Sequence, residues 1–174
     1  MVKRRPSYES DPQVLYLSQL LDEIHHGLLR VPRFQRPFVW SDEQRLELFR
    51  SVAEGTPIGS ILVWRSTIEI PSFERLGPHS IPLEASGHSA YSYLLDGHQR
   101  LSTLYGALYP PNRQLEPKEE QNALNGWRIF YDLGAKDFVL EEREGPLLPL
   151  YVFLDTRKLL DALRTLKRPE HIEA

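Results

Sequence analysis

Apolar residues recur every three or four positions from Leu17 to Leu28, which is the spacing of one buried helix face. Ser18 is the expected N-cap of this helix, and Gly27 is the residue expected to end it. His25 and His26 fall in its last turn, where the partial negative charge of a helix C-terminus favours protonated imidazole. The pattern therefore predicts an amphipathic helix with a cationic end, which is favoured over a histidine metal site.

A second helix is predicted after residue 40, because Ser41 and Gln44 have the spacing of a capping box. Gly55 is the residue expected to end it. The residues that we expect it to bury are apolar: Leu46, Phe49, Val52 and Ala53. A run rich in β-type residues, Ser60 to Trp64, follows a glycine turn and predicts a buried strand.

The central stretch of the chain changes from a strand pattern to a helix pattern at a glycine. Tyr91–Leu95 is a short apolar run that predicts a buried strand. Asp96 and Gly97 favour a turn, because glycine accepts positive φ and aspartate can hydrogen-bond the backbone ahead of it. Apolar residues then return at helical spacing: Leu101, Leu104, Tyr105 and Leu108. The pattern predicts a strand, a tight turn and a helix.

The rest of the chain predicts less regular structure. Residues 66–90 are rich in proline and glycine, and we expect an excursion between two neighbouring strands, in the manner of a partly mobile flap. Trp127–Tyr131 and Phe138–Leu140 flank a polar turn and predict a hairpin. A last helix, capped at Asp155, has an apolar stripe, so it either packs on this domain or joins further protein. Its stripe consists of Leu159, Leu160, Leu163 and Leu166.

These elements predict one α/β domain over residues 17–155, preceded by a flexible lead-in (1–16). A terminal helix (156–174) follows, and it either packs on this domain or leads into a further C-terminal region. The chain has no cysteine, which excludes disulfides, thiolate zinc sites and a cysteine nucleophile. No apolar run reaches membrane-spanning length. The net charge of −3 shows no basic excess of the kind that grips duplex DNA. A soluble cytoplasmic protein is expected.

The predicted strand–helix turn has the residue types of a phosphate site. His98, Gln99 and Arg100 fall in the first helical turn, where unpaired N–H groups and partial positive charge favour an anion. Arg100 adds a two-pronged donor suited to phosphate, and Asp96 can hold a metal ion or orient a water. The alternative is structural: Asp96 caps the helix, Gly97 serves only the turn, and Arg100 pairs with an acidic neighbour.

The segment PRFQRPFVW, residues 32–40, predicts a stiff extended loop, because its two prolines disfavour helix. It carries three polar side chains, Arg33, Gln35 and Arg36, among large aromatic residues. Loops on a rigid scaffold commonly carry binding groups, so these three are candidates for contacting a ligand. The alternative is that the aromatic residues fill the core while the arginines only face solvent.

Three segments now stand in order: FQRPFVW (34–40), GTPIGSILVW (55–64) and LLDGHQRLSTL (94–104). Together they resemble the ParB-like domains at the N-terminus of GmrSD-type, type IV restriction enzymes, which carry an FQR box, a G-x-P-x-G-S strand entry and a DGQQR box. The resemblance extends over roughly residues 17–155, and three motifs in order are far more specific than one. The chain departs from the family at His98, where the family usually has glutamine. His98 adds a charge that depends on pH.

The resemblance implies a ParB/sulfiredoxin-like fold, with helices packed on a small mixed sheet. It implies binding or hydrolysis of a nucleoside triphosphate with Mg²⁺, in systems that restrict modified foreign DNA and cleave it with a separate HNH-type nuclease domain or subunit. A homo-oligomer is left open. By the motifs, Asp96, Gln99 and Arg100 would determine activity, and Asp96 would bind Mg²⁺ or position the attacking water. The residues expected to bind the nucleotide are Arg33, Gln35, Arg36, Gly59, Ser60, Gly97, His98 and Thr103.

Three other functions compete with a nucleoside triphosphatase. The first is a nucleotide-gated module that binds DNA or a partner without turnover, which the histidine at position 98 motivates. The second is a nuclease in its own right, which is disfavoured because the motifs hold a single acidic residue and two-metal cleavage generally needs several. The third treats the motifs as fold-stabilising, and it predicts that Arg100→Ala lowers stability with no nucleotide binding to lose.

Overall fold

The computed structural model describes residues 14–83, 90–110, 126–140 and 142–166. Within them the α-helices are Leu17–His25 (α1), Asp42–Ala53 (α2), His98–Leu108 (α3) and Thr156–Leu166 (α4). The strands are Leu29–Arg30 (β1), Leu62–Ser66 (β2), Arg75–Leu76 (β3), His79–Ser80 (β4), Tyr91–Asp96 (β5), Phe130–Asp132 (β6), Asp137–Val139 (β7) and Leu147–Pro149 (β8), and a 3₁₀ turn covers Leu150–Val152.

Strand β5 is the centre of the first sheet, whose order is β1-β5-β2. It runs parallel to β1 and antiparallel to β2, so this sheet is mixed. The excursion between β2 and β5 contains the small β3–β4 hairpin, and β2 and β5 are neighbours, as predicted. A second, antiparallel sheet has the order β7-β6-β8 and includes the predicted hairpin. The predicted class of small mixed sheets packed with helices is confirmed.

Helix α3 forms the middle of the core. All of its residues except Arg100 are buried, and Tyr105 is fully enclosed. Leu21 and Ile24 of α1 and Leu48 and Phe49 of α2 belong to the same apolar cluster. The first turn of α3, which carries the central motif, is therefore held by packing rather than left at a mobile surface.

The predicted ends of α1 and α2 are confirmed except for one N-cap. Helix α1 begins at Leu17 with Tyr16 at the N-cap position. Ser18 lies inside the helix, so its prediction as the cap was wrong. Gln19 accounts for the difference, because its Oε1 accepts the N–H of Tyr16 at 3.1 Å and satisfies an open group of the first turn. The capping box of Ser41 and Gln44 opens α2 as predicted.

Two predictions of burial were wrong. Val52 is exposed, as is Ala53, whereas Leu48 is buried. Helix α2 turns Leu48 and Phe49 inward because it packs against α3 and β7, as the Phe49–Phe138 ring distance of 5.7 Å shows.

Strand β2 was expected to be buried, yet Leu62, Val63 and Trp64 are 56%, 40% and 41% exposed. It lies at an edge of the three-stranded sheet and pairs with β5 on one side. The β-type composition correctly indicated a strand, but an edge strand needs a second layer to bury it. Within the described residues, nothing encloses these side chains.

The expected protonation of His25 was also wrong. Its ring stacks on Tyr109 at 4.3 Å, and its Nδ1 lies 3.1 Å from the hydroxyl of Tyr105. Burial, followed by the charge of His26, lowers the pKa of His25 below its usual value. Loss of hydration outweighs the helix C-terminus here, because the imidazole packs against aromatic rings.

Candidate functional site

The turn between β5 and α3 is formed as the sequence predicts. Gly97 occupies the N-cap position with φ of +97°, a left-handed conformation that favours glycine. A Cβ at this position would also collide with the side chain of Ile61. No side chain caps the helix, so the alternative in which Asp96 serves as the N-cap is not what forms. The first turn of α3 therefore has no side-chain acceptor for its N–H groups, which carry the partial positive charge of a helix N-terminus.

Arg100 is fixed by two hydrogen bonds on opposite branches of its guanidinium. Nη1 donates to the carbonyl oxygen of Ile58 at 2.6 Å, and Nη2 donates to Oδ2 of Asp96 at 2.9 Å. Gly59 makes room for this arrangement, because a Cβ there would collide with Nη1 of Arg100. The close approach allowed by Gly59 is therefore to the arginine, and Arg100 does pair with an acidic neighbour.

The two members of this ion pair differ in exposure. The side chain of Arg100 is 17% exposed and that of Asp96 is 68% exposed. Arginine has five N–H donors, and the two contacts above leave donors of the guanidinium for another acceptor. The carboxylate of Asp96 lies at the surface, where a cation can reach it. The pair thus presents both signs of charge beside the start of α3.

Gln99 holds the proline-rich loop against α3. Its Oε1 accepts the N–H groups of Val39 at 2.8 Å and Trp40 at 3.3 Å, while its Nε2 donates to the carbonyl oxygen of Pro37 at 3.0 Å. The residue is 7% exposed. One amide therefore satisfies three backbone groups of a loop that forms no regular ladder.

Two further contacts join the same loop to the β5–α3 segment. Nε2 of Gln35 donates to the carbonyl oxygens of Leu94 and Leu95, at 3.2 and 2.9 Å. Nδ1 of His98 lies 3.1 Å from the carbonyl oxygen of Arg36. The FQR and DGHQR motifs are thus interlocked across about sixty residues of chain. The sequence contained a signal for this: amide side chains occur in both motifs, and an amide can donate and accept at once.

His98 fits this site as a neutral donor. A carbonyl oxygen only accepts, so Nδ1 carries the proton in the contact with Arg36. The ring is buried and stacks with Phe73 at a centroid distance of 5.8 Å. Burial is the main cause that lowers the pKa of His98. The bond that His98 makes is one that the amide of a glutamine can also donate.

Other residues of the predicted nucleotide site lie at different places. Arg33 donates from Nε to the carbonyl oxygen of Ser72 at 3.1 Å and pairs with Glu74 at 3.0 Å, so its guanidinium is held by another segment. Thr103 is fully buried, and its hydroxyl donates to the carbonyl oxygen of Gln99. Arg36 and Ser60 are exposed. The structure joins Gln35 and Gly59 to the turn, but it does not bring Arg33 or Thr103 to its surface.

The backbone carbonyl of Ile58 is a contributor that the sequence did not indicate. Its contact with Arg100 depends on where the 57–59 turn lies, and the residue type at a position does not indicate what its backbone carbonyl will bind.

Across the residues that the structure describes, no group of three or more histidine, aspartate or glutamate side chains is arranged to hold a metal ion. In the same residues, no helix combines the length and the apolar surface that a bilayer crossing requires.

Comparison with known proteins identifies the family. Residues 17–164 match the model of the GmrSD restriction endonuclease, N-terminal domain. An uncharacterized protein of Methanocaldococcus jannaschii is 31% identical over 120 residues, which cover 67% of this chain and 20% of that protein. The chain thus spans about a fifth of the length of this curated relative. No solved structure matches the chain significantly. On the match over residues 17–164, the chain belongs to the family of GmrSD restriction endonuclease N-terminal domains.

Proposed function

We propose that this domain binds a nucleoside triphosphate for a restriction system, with the phosphates at the start of α3. The observation that carries the proposal is the helix start at Gly97, which lacks a side-chain cap and lies beside the fixed guanidinium of Arg100. Oriented N–H groups and a pre-positioned arginine are complementary to a phosphate group. The bond from Arg100 to Ile58 reduces the entropy that the side chain would lose on binding.

Asp96 supplies the other half of the site in this proposal. Mg²⁺ is commonly bound by one or two protein carboxylates together with phosphate oxygens and water. A single exposed carboxylate beside the phosphate site fits that donor set. Magnesium would neutralise charge on the phosphates, while Arg100 and the amides of α3 orient them. Asp96 either binds this ion or positions the attacking water.

The contacts of the proline-rich loop, residues 32–40, indicate which further residues would help to bind the nucleotide. Gln99, His98 and Gln35 hold the loop, so in this proposal they position it. Arg36 is exposed on that loop, directly after Gln35, and is a candidate for an additional phosphate contact. Ser60 is exposed beside Gly59.

The activity of a complete restriction protein is a broader proposal, because this chain corresponds to only part of its relative. Membership of a restriction endonuclease family supports DNA as the substrate and a nuclease domain or subunit as the partner. In the finer proposal, the DNA is modified and foreign, the nuclease is of the HNH type, and the protein acts in the cytoplasm. The nucleotide state of this domain would then control the nuclease. Association into a homo-oligomer is compatible with this role.

A nucleotide-gated module without turnover is the second candidate. The contacts of Gln99 favour it, because Oε1 and Nε2 are already bonded to three backbone groups. A side chain used in this way has little freedom to act on a reacting water. The two candidates share the binding site and differ in whether phosphate is released.

Calorimetry of the 174-residue chain with ATP, GTP, CTP and UTP in Mg²⁺ tests the proposal. Arg100→Ala should weaken binding of the preferred nucleotide by roughly tenfold or more, because it removes charge-assisted hydrogen bonds worth about 1.5–3 kcal/mol. Arg164→Ala is the matched control, since Arg164 also pairs with an aspartate on a helix, at 3.3 Å, but lies exposed on α4. Circular dichroism establishes that each variant is folded.

Asp96→Asn separates the role of the carboxylate, because it should reduce the dependence of binding on Mg²⁺. Phosphate release then decides between the two candidates, with binding alone supporting the module without turnover. A folded wild-type chain that binds none of the four nucleotides would contradict the proposal. An Arg100→Ala variant that is less stable, together with that result, would favour the fold-stabilising hypothesis.

A further inference from the structure

A groove with a volume of about 590 Å³ opens directly beside Arg100. It lies between α2 and the Pro57–Ile58 turn, with Trp40 and Leu48 on its apolar walls and Glu43 and Glu47 on its polar side. This volume is within the range of small-molecule sites, about 300–1,000 Å³. A groove of similar volume, about 620 Å³, lies beside Tyr109 and Asp155 at the other end of α3. Proximity to Arg100 therefore distinguishes the groove beside α2, and its volume does not.

We propose that this groove binds the base of the nucleotide and that its glutamates favour bases with hydrogen-bond donors on their exposed edge. The inference rests on the proposed function, since it assumes phosphates at the start of α3. It adds the site of the base and the residues that select it.

The groove and the proposed phosphate site share a wall. Arg100 lines the groove and is bonded both to Ile58, which also lines it, and to Asp96 at the helix start. The backbone N–H of Trp40 donates to Oε1 of Gln99 at 3.3 Å, which joins Trp40 to the same helical turn. A nucleotide with its phosphates beside Arg100 can therefore extend its base along this wall.

The walls of the groove are apolar where a base would lie. The half-buried indole of Trp40 and the apolar side chains of Leu48 and Ile58 suit the flat face of a base. Stacking of a base on an aromatic ring contributes about 1–3 kcal/mol and works for every base. The apolar walls thus explain binding but do not select between the four bases.

The carboxylates of Glu43 and Glu47 on α2 would select between the four bases. Arg50 approaches Glu43 at 2.6 Å and Glu47 at 3.5 Å, so Glu47 is the less tightly held of the two. A carboxylate accepts hydrogen bonds and cannot donate them. Guanine offers two adjacent N–H donors to a carboxylate, whereas uracil flanks its one N–H with carbonyl oxygens that a carboxylate repels. GTP is therefore the expected favourite, and UTP the weakest ligand.

The first test measures the base preference by calorimetry in Mg²⁺ with all four nucleoside triphosphates. Wild-type chain should bind GTP at least fivefold more tightly than UTP, and Glu47→Gln should reduce the difference to less than twofold. Glu54→Gln is the matched control, because Glu54 is exposed at the end of the same helix and does not line the groove. A preference that Glu47→Gln leaves unchanged would overturn the role of this carboxylate.

A second variant tests the location of the base without touching a carboxylate. Ser51→Trp would fill the groove from α2, and it should weaken all four nucleotides by at least tenfold. Inorganic triphosphate, which has no base, should bind this variant as it binds the wild type. Wild-type nucleotide affinities in the folded Ser51→Trp variant would overturn the groove as the base site.

The probes also separate this inference from the proposed function. Triphosphate binding that Arg100→Ala abolishes would support the phosphate site whatever the groove variants show. If the groove variants then have no effect, only the base site is overturned. If neither triphosphate nor any nucleotide binds the folded chain, both proposals are overturned.

Discussion

Helices α3 and α4 have the same length, 11 residues, but α3 lies in the core and α4 lies at the surface. Every residue of α3 except Arg100 is buried, whereas no residue of α4 is. Both carry apolar residues at helical spacing. Helix α4 nevertheless has the sharper separation of apolar and polar faces. A clear amphipathic pattern therefore indicates one face suited for packing, without establishing that anything covers it.

The difference follows from what surrounds each helix. Helix α3 contacts α2, the β3 strand and the 3₁₀ turn, while α4 has its main contacts with the 3₁₀ turn alone. Helix α3 accordingly buries polar residues, and Thr103 illustrates how: its hydroxyl bonds the carbonyl oxygen of Gln99 within the helix. Asp155 starts α4 as predicted, by accepting the N–H of Arg157 at 2.9 Å. Local signals thus formed both helices, and only the surrounding structure made them different.

The largest expected effect is in the core of α3. Leu104 is 2% exposed, and Leu104→Ala would leave a cavity where the surroundings can collapse only partly. We expect the free energy of unfolding to fall by about 2–5 kcal/mol. Urea denaturation monitored by tryptophan fluorescence measures it. A loss below about 1 kcal/mol would contradict the central position of α3 in the core.

The next effect is a dependence of stability on pH, from a histidine that packs on α3. His79 is 7% exposed, and its ring meets that of Tyr105 edge-on at 4.9 Å. Burial is the main cause that lowers the pKa of His79 to about 4, with smaller contributions in the same direction from His25 and Arg75.

The sign of this dependence follows from the lowered pKa. In the unfolded chain His79 binds its proton near pH 6.5, whereas in the folded chain it does so only near pH 4. The neutral histidine therefore contributes stability above pH 6.5, and this contribution is lost as the pH falls from 6.5 towards 4. The loss attributable to His79 should approach about 3 kcal/mol. Unfolding free energies at pH 7, 5.5 and 4.5 measure it. His79→Gln should flatten the profile, because it removes the buried imidazole whose pKa is lowered.

The smallest effect is expected on α4. Leu160 is 49% exposed, so Leu160→Ala should change the free energy of unfolding by less than about 0.5 kcal/mol. The same urea experiment gives this value beside that of Leu104→Ala. A loss of more than about 1 kcal/mol would show that α4 is covered in solution and would remove the contrast between the two helices.

Predictions from the sequence succeeded where the signal was local. The capping box at Ser41, the turn at Gly97 and the cap at Asp155 each follow from interactions within a few residues. The prediction at Ser18 failed because Gln19, equally local, satisfied the first turn in another way. Even among local signals, then, two residues can compete for the same backbone groups.

Predictions of burial and protonation failed where they depended on distant neighbours. Trp64 belongs to a strand as expected, but it is exposed because β2 lies at a sheet edge. His25 contacts Tyr105, 80 residues away, and this burial determines its pKa. Spacing along the chain carries no information about either neighbour.

The candidate site shows both contributions. The sequence by itself determined the strand–turn–helix around Gly97 and brought Asp96 and Arg100 to one end of a helix, because these depend on backbone conformation and i,i+4 spacing. Only the tertiary structure decided that Gln99 would hold the loop at Val39 and that Ile58 would fix Arg100. Those contacts join residues about 40–60 positions apart, and their energy becomes available only when the folded core brings the segments together.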